Sequence, residues 1–420
     1  MSRIDQQPSM LRDAMHVLFL EPAFPQNQRE FVRALAQAGA RVTAIGEAPA
    51  QALPGDVRQH LHGYEQVPSV VHERSLFDAV RRVQDREWVD RLEATVEAHV
   101  LPAARVREAC EIPGTSVRTA FLCRDKPAMK EALRAADIPC ARSTGANSAD
   151  DVRAFAEEVG FPLVLKPSDA AGAAGTYRVS NAEELEDAIR ATGVEGGVPT
   201  AVEEFIEGHE AFYDTLTCNG DVVHDFISHY YPGVLEAMRT RWISPQIVTT
   251  NRVDAEDYAQ VVELGKRVIE VLGIETSATH MEWFFGPKGL KFSEIGCRPP
   301  GVRVWDIYGA ANDLDLYTEW AKLLVQGETD ARASRAYAAG MIALRPEQDG
   351  RIAGYEGVDE IRQRYGDCIL DAHFPPPGTP TQSVEGGYMA NAWMRLRHPD
   401  YDQLREIMDT VGRTVQVRAG

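Results

Sequence analysis

Residues 280–295 constrain this chain more than any other stretch. They read His280-Met281-Glu282-Trp283-Phe284-Phe285-Gly286-Pro287-Lys288-Gly289-Leu290-Lys291-Phe292-Ser293-Glu294-Ile295. Two β-rich runs meet at Pro-Lys-Gly, which suits a three-residue hairpin loop: a type I turn followed by glycine in the left-handed conformation. Centring the turn on Lys288 predicts Phe284 opposite Phe292 and Glu282 opposite Glu294, so that one face carries an aromatic pair and then two facing carboxylates. Like charges directly opposite each other are destabilising, by roughly 0.2–1 kcal/mol before any burial. A cation between them removes that penalty, and oxygen-only donors favour Mg²⁺ or Mn²⁺. The competing reading is a register shifted by one residue, with one glutamate left in solvent.

A second cluster lies upstream. Lys166 ends an apolar strand expected over Phe161–Leu165 and precedes a run of small residues, Ser168 to Gly175, that includes Gly172. Such a loop lets backbone N–H groups approach phosphate oxygens closely, or is simply a flexible turn. An unpaired ammonium at a buried strand end is costly, so Lys166 calls for an anionic partner. A third cluster, Val202-Glu203-Glu204-Phe205-Ile206-Glu207-Gly208-His209-Glu210, carries four glutamates that alone would read as a solvated edge.

The rest of the chain frames these clusters. Val17–Leu20, a helical pattern through Phe31, Val32, Leu35 and Ala36, and Val42–Ile45 form a βαβ unit with a parallel sheet. The loop after its first strand lacks G-x-G-x-x-G, so a Rossmann-like scaffold without a dinucleotide of its own is expected. Residues 75–111 look largely helical, with a boundary near Pro113-Gly114. Further along, Asp125 caps a helix that has Pro127 near its start, and Ser180 opens a capping box before a helix over 182–191. Asn219-Gly220 turns a hairpin between strands 211–217 and 222–228. Asp254 and Gly273 bracket a helix over 254–272, and the tail mixes short strands with a last helix near 400–411.

Composition limits the partners. Among 420 residues, 63 acidic side chains against 44 basic give a net charge of −19, which repels phosphate backbones and anionic lipid; neither nucleic acid nor a membrane is expected as a partner. The six cysteines (110, 123, 140, 218, 297 and 368) show no C-x-x-C or zinc spacing and read as reduced thiols. No run reaches the length of a membrane span, and the polar first 15 residues lack the apolar core of a signal peptide. A cytoplasmic protein is expected.

The order of these pieces resembles the ATP-grasp superfamily, in particular its carboxylate–amine and carboxylate–thiol ligases. The segments that carry the likeness are Arg124-Asp125-Lys126-Pro127-Ala128-Met129-Lys130, Phe161-Pro162-Leu163-Val164-Leu165-Lys166-Pro167, Glu203 to Glu210, and Phe292-Ser293-Glu294-Ile295-Gly296-Cys297-Arg298-Pro299-Pro300-Gly301. The resemblance covers roughly 115–325. It implies an α/β chain: a Rossmann-like domain over 1–112, an ATP-grasp fold of two α+β lobes over 113–328, and a C-terminal α+β extension over 329–420 like that of the biotin-carboxylase-like branch.

The same resemblance implies roles. Lys126 and Lys166 would hold the phosphates of ATP beneath the loop containing Gly172 and Gly175. Glu203, Glu204 and Ile206 would line the adenine, Glu210 the ribose. Glu282 and Glu294 would hold Mg²⁺ (or Mn²⁺), and Arg298 would neutralise the transferring phosphoryl group. Relatives often have Asn where this chain has Gly296, and lysine where it has Glu204. Tyr230, Tyr231, Arg239, Arg241 and Trp242 are candidates for the second substrate, and Arg303 for a substrate carboxylate. The implied reaction activates a small-molecule carboxylate as an acyl phosphate and couples it to an amine, in a possible homodimer. A bicarbonate-activating, carboxylase-like enzyme and an ATP-binding regulatory protein without turnover are the alternatives.

Overall fold

The computed structural model describes residues 14–167, 175–238, 240, 241, 243–384 and 390–420. Gly172, Arg239 and Trp242, together with nearly all of the polar amino-terminal segment, lie outside them. The chain divides into two compact units: one runs up to Ala120 and includes Tyr317–Asp330, and the other comprises Phe121–Leu316 and Ala331–Gly420.

The first unit is a parallel sheet in the order β3-β2-β1-β4, formed by β1 (His16–Leu20), β2 (Arg41–Gly46), β3 (Gly63–Gln66) and β4 (Arg91–Glu93). As the sequence predicts, a helix, Gln28–Gln37, joins β1 to β2. Both faces of a parallel sheet must be covered. Phe19 stacks on Phe31, with Trp320 against both rings, while Leu18 and Leu20 share a core with Leu76, Val80, Val83 and Val106. The expected helical stretch 75–111 is in fact two helices, Glu73–Gln84 and Glu97–Ala109, separated by β4. Arg91-Leu92-Glu93 has one apolar residue between two charges, which leaves no periodicity to read. Pairing with β1 (Phe19 opposite Glu93) makes it a strand.

The second unit contains two antiparallel sheets. The smaller, ordered β5-β8-β6-β7, comprises β5 (Ser143–Ala146), β6 (Leu163–Pro167), β7 (Tyr177–Val179) and β8 (Thr200–Glu204). Helices Ala149–Val159 and Ala182–Thr192 back it, burying Val152, Phe155, Leu163, Leu165, Leu185, Ile189 and Val202. β6 starts two residues later than expected, because Phe161 is exposed and Pro162 has no N–H for the ladder. The helix cap also moves by one residue. Asn181 accepts from the Glu184 N–H at 3.0 Å, and the Glu184 carboxylate in turn accepts from Ser180 N and Asn181 Nδ2.

The larger sheet runs β13-β12-β9-β10-β11-β14-β17-β16. Its strands are β9 (His209–Cys218), β10 (Asp221–Tyr231), β11 (Gln246–Thr249), β12 (Ser277–Gly286), β13 (Gly289–Gly296), β14 (Ala338–Leu344), β16 (Ile369–His373) and β17 (Ala392–His398); β15 (Ile352–Glu356) and β18 (Gln416–Ala419) pair separately. Asn219 and Gly220, at φ 53° and 89°, make the predicted tight turn between β9 and β10. Helix Ala259–Leu272 packs on this sheet through Gly265, which lies against the Tyr213 ring, and Gly273 closes it in the left-handed conformation. Asp254 does not cap it. The polar run enters through a 3₁₀ turn, Glu256–Tyr258, and the helix starts only at Ala259. Helix Tyr401–Thr414, capped by Asp400, places Leu404, Met408 and Val411 over Ile342, Met394 and Leu396.

Candidate functional site

The hairpin β12–β13 sets the geometry. Pro287-Lys288 turns the chain and Gly289 takes φ 77°, the left-handed residue the loop demands. From there the pairing is Phe284 with Lys291 and Trp283 with Phe292, not Phe284 with Phe292. The register then slips by one residue, leaving Ser293 without a partner of its own, and Glu282 falls directly opposite Glu294. The bulge corrects the predicted aromatic pair: Trp283 and Phe292 are buried on one face of the ribbon, while Glu282, Phe284 and Glu294 line a cleft on the other. No β-carbon could be accommodated at Gly286, where it would lie 2.0 Å from the Glu207 carbonyl oxygen, so the hairpin tip presses directly on the strand connection at Glu207-Gly208.

The cleft has a volume of about 630 Å³. Facing the two glutamates are three lysines. Lys126 begins the helix Lys126–Ala135, whose cap is Asp125 accepting from Ala128 N at 2.9 Å; its ammonium contacts Glu294. Lys130, one turn on, is 1% exposed and donates to Glu203 at 2.8 Å. Lys166, on β6, lies 3.5 Å from the other oxygen of Glu203. Burial and the neighbouring Lys166 push Lys126 down to about 7, against the pull of Glu203 and Glu282. For Glu203, burial opposes ionisation, but Lys130 and Lys166 outweigh it and hold the carboxyl well below the usual range. Three lysines and the glutamates they meet thus form one cluster of buried, mutually perturbed charges, the kind of arrangement that marks candidate functional sites.

Behind Glu282 stands a second charged group. His280, two residues earlier on the same face of β12, gives Nδ1 to Asp214 at 2.7 Å and sets Nε2 3.7 Å from Glu282. Asp214, 1% exposed on β9, also accepts from the Tyr308 hydroxyl. Burial disfavours the imidazolium, yet Asp214 and Glu282 raise His280 to about 9. In turn His280, Lys126 and Arg298 overcome the burial of Glu282 and lower its pKa. Gly296 is paired across the ribbon with His280, so no side chain on β13 adds a third oxygen there. Among the described residues no group of three or more His, Cys, Asp or Glu side chains is arranged to hold a metal ion.

The remaining wall comes from the strand connection and from the segment after β10. Glu204, Ile206 and Glu210 line the cleft, as do Tyr230 and Tyr231. Glu204 is held by Lys288 at 2.6 Å. Glu210 accepts from Val234 N at 2.6 Å, and burial together with Glu282 pushes it up to about 8. The Tyr230 hydroxyl is 3.5 Å from Glu282.

Other predicted residues are not brought to the cleft wall. Gly175 turns beside Pro167 at φ 67°. Arg241 pairs with Asp349, and Arg303 pairs with Asp306 at 2.6 Å. Arg298 donates to the Pro299 carbonyl at 2.9 Å and acts on Glu282 through its charge. Reading the sequence missed Asp214 and Tyr308, which sit in apolar surroundings with nothing local to mark them, and it missed His280, for which strand alternation with Glu282 was the available signal. All six cysteines are free. No described helix is long and apolar enough to cross a membrane.

Comparison with known proteins agrees with this geometry. The ATP-grasp domain family matches residues 131–311. The alanine–anticapsin ligase of Bacillus subtilis (strain 168) is 26% identical over 235 residues, covering 50% of this chain and 48% of that protein. The L-arginine-specific L-amino acid ligase of Bacillus subtilis is 28% identical over 218 residues, covering 50% and 52%. The chain thus aligns with about half the length of these curated relatives. Among solved structures, L-amino acid ligase from Bacillus licheniformis superposes with a TM-score of 0.77 at 18% identity, covering 97% of this chain and all of that one. N5-carboxyaminoimidazole ribonucleotide synthetase from Thermotoga maritima superposes at 0.68 and 16% identity, covering 97% of this chain and all of that one. The fold and the family match agree over the segment that carries the cleft: residues 131–311, somewhat less than half of the chain, are similar to the ATP-grasp domain family.

Proposed function

We propose that this protein is an ATP-dependent carboxylate–amine ligase that activates a small carboxylate as an acyl phosphate and joins it to an amine, with an amino acid as one partner. The observation that carries this reading is the facing pair Glu282 and Glu294 on the cleft side of their hairpin, opposite Lys126 and Lys166. The names of the related amino-acid ligases support the amine over bicarbonate as the acceptor.

Each residue's part follows from its charge and position. Lys126 and Lys166 bind the phosphates, which return to Lys126 the negative charge that its burial lacks. The backbone from Glu203 to Ile206, with the side chains of Glu204 and Ile206, lines the base, and Glu210 meets the ribose. The donor set at the hairpin is two carboxylates with no nitrogen or sulfur, which fits Mg²⁺. Glu282 and Glu294 would hold it, and when bound it neutralises phosphate charge as the γ-phosphoryl group transfers. The substrate carboxylate attacks the γ-phosphorus, ADP leaves, and Arg298 offsets charge on the acyl phosphate. The amine then displaces phosphate and forms the amide. His280 and Asp214 keep Glu282 ionised throughout. No protein nucleophile takes part, so the rate advantage rests on positioning and preorganised charge.

Release of inorganic phosphate from MgATP, measured with a panel of paired amino acids, with bicarbonate and with neither, tests the assignment. Phosphate released only with an amino-acid pair, and lost in E282Q and E294Q, is the expected result. Release with bicarbonate alone, or ATP binding without any stimulated release, would overturn it.

A further inference from the structure

Lys130 has no place in the scheme above, yet it is the most completely buried cation in the cleft. At 1% exposure it cannot exchange its partner for water, and its ammonium is committed to Glu203 Oε2 at 2.8 Å. The other oxygen, Glu203 Oε1, is buried and accepts no hydrogen bond, although Lys166 stands 3.5 Å away. Lys166 is therefore attracted by Glu203 without being bonded to it. One carboxylate serves two ammoniums unequally, and the lysine that receives the smaller share is Lys166, near the end of β6.

We propose that the buried Lys130–Glu203 pair is a positioning device that holds Lys166 in reach of the nucleotide while leaving its hydrogen bonds free. The inference rests on the nucleotide reading of the cleft. Lys130 saturates the carboxylate that would otherwise capture Lys166. If Lys130 loses its charge, both oxygens of Glu203 fall to Lys166, the 3.5 Å gap closes to hydrogen-bond length, and the ammonium turns from the phosphates towards the protein. Without Glu203, the two ammoniums repel each other and neither is fixed. In this arrangement the carboxylate of Glu203 acts on the lysines and not on the base, so only its backbone remains for nucleotide contact.

The test is a comparison of wild type, K130M and the double variant K130M/E203Q, by calorimetric titration with the non-hydrolysable ATP analogue AMP-PNP and Mg²⁺, and by KM for ATP. K130M should weaken binding about tenfold, near the lower end of what one charge-assisted hydrogen bond is worth, with KM rising more than kcat falls. Adding E203Q should recover most of that loss, because Lys166 is then released. K130Q, which keeps a donor towards Glu203 and preserves more of the fold, should shift affinity in the same direction as K130M. A double variant as weak as K130M would overturn the proposal, since the Glu203 carboxylate would then be touching the nucleotide itself. So would K130M with altered melting temperature but wild-type affinity, which marks a purely structural pair. A wild-type protein that binds no nucleotide overturns the nucleotide reading and this inference together, whereas normal wild-type binding with unaltered variants overturns only this inference.

Discussion

Replacing Asp214 by asparagine isolates the charge that holds His280 protonated. Asparagine keeps the size of the side chain and an acceptor for the Tyr308 hydroxyl, but removes the anion 2.7 Å from Nδ1. His280 stands at about 9 against an ordinary 6.5, a difference worth about 3 kcal/mol between the two protonation states. Once Asp214 is neutral, burial and the charge of Arg298 both favour the neutral imidazole, with only Glu282 opposing them. A histidine raised in the folded state contributes stability that is fully present below about pH 6.5 and is lost as pH rises through about 9. D214N should therefore be less stable than wild type by a few kcal/mol at pH 6, and the gap should narrow above pH 9. Histidine ring resonances followed between about pH 5 and 10, with H280Q to assign the signal, report the pKa directly. A wild-type His280 titrating near 6.5, or one that D214N leaves unmoved, would refute the reasoning.

Two further outcomes follow from the packing around the same sheet. G265A should destabilise the protein by about 1–3 kcal/mol, because the added methyl would sit 2.4 Å from the ring of Tyr213, which is fully buried with its hydroxyl hydrogen-bonded to Asp225; unfolding in urea at a midpoint equal to wild type contradicts this. Glu210, raised from 4.5 to about 8, holds a proton in the folded state that the unfolded chain releases, so stability falls as pH climbs from about 4.5 through 8. E210Q should accordingly melt higher than wild type at pH 9 and show little difference at pH 5, and equal shifts at both values would argue against it.

Sequence alone determined those parts of the protein whose signals are local. Alternation, turn residues and caps located β1 and β2, the Asn219-Gly220 hairpin, the Asp125 cap and the Glu282–Glu294 ribbon, because each depends on residues within a few positions of one another. Lys166 was legible because a cation at a buried strand end needs an anion whatever the rest of the fold does, whereas Lys126 was reached only through the family resemblance. Tertiary structure decided what depends on residues distant in the chain. β4 is a strand only because β1 offers it a ladder, and the Trp283–Phe292 pair displaced the expected one through a bulge that alternation cannot foresee. Lys130 meets Glu203 across 73 positions, and His280 meets Asp214 across 66. Burial then turns those encounters into shifted charges, since a low-dielectric interior is where an ionised partner is most strongly felt.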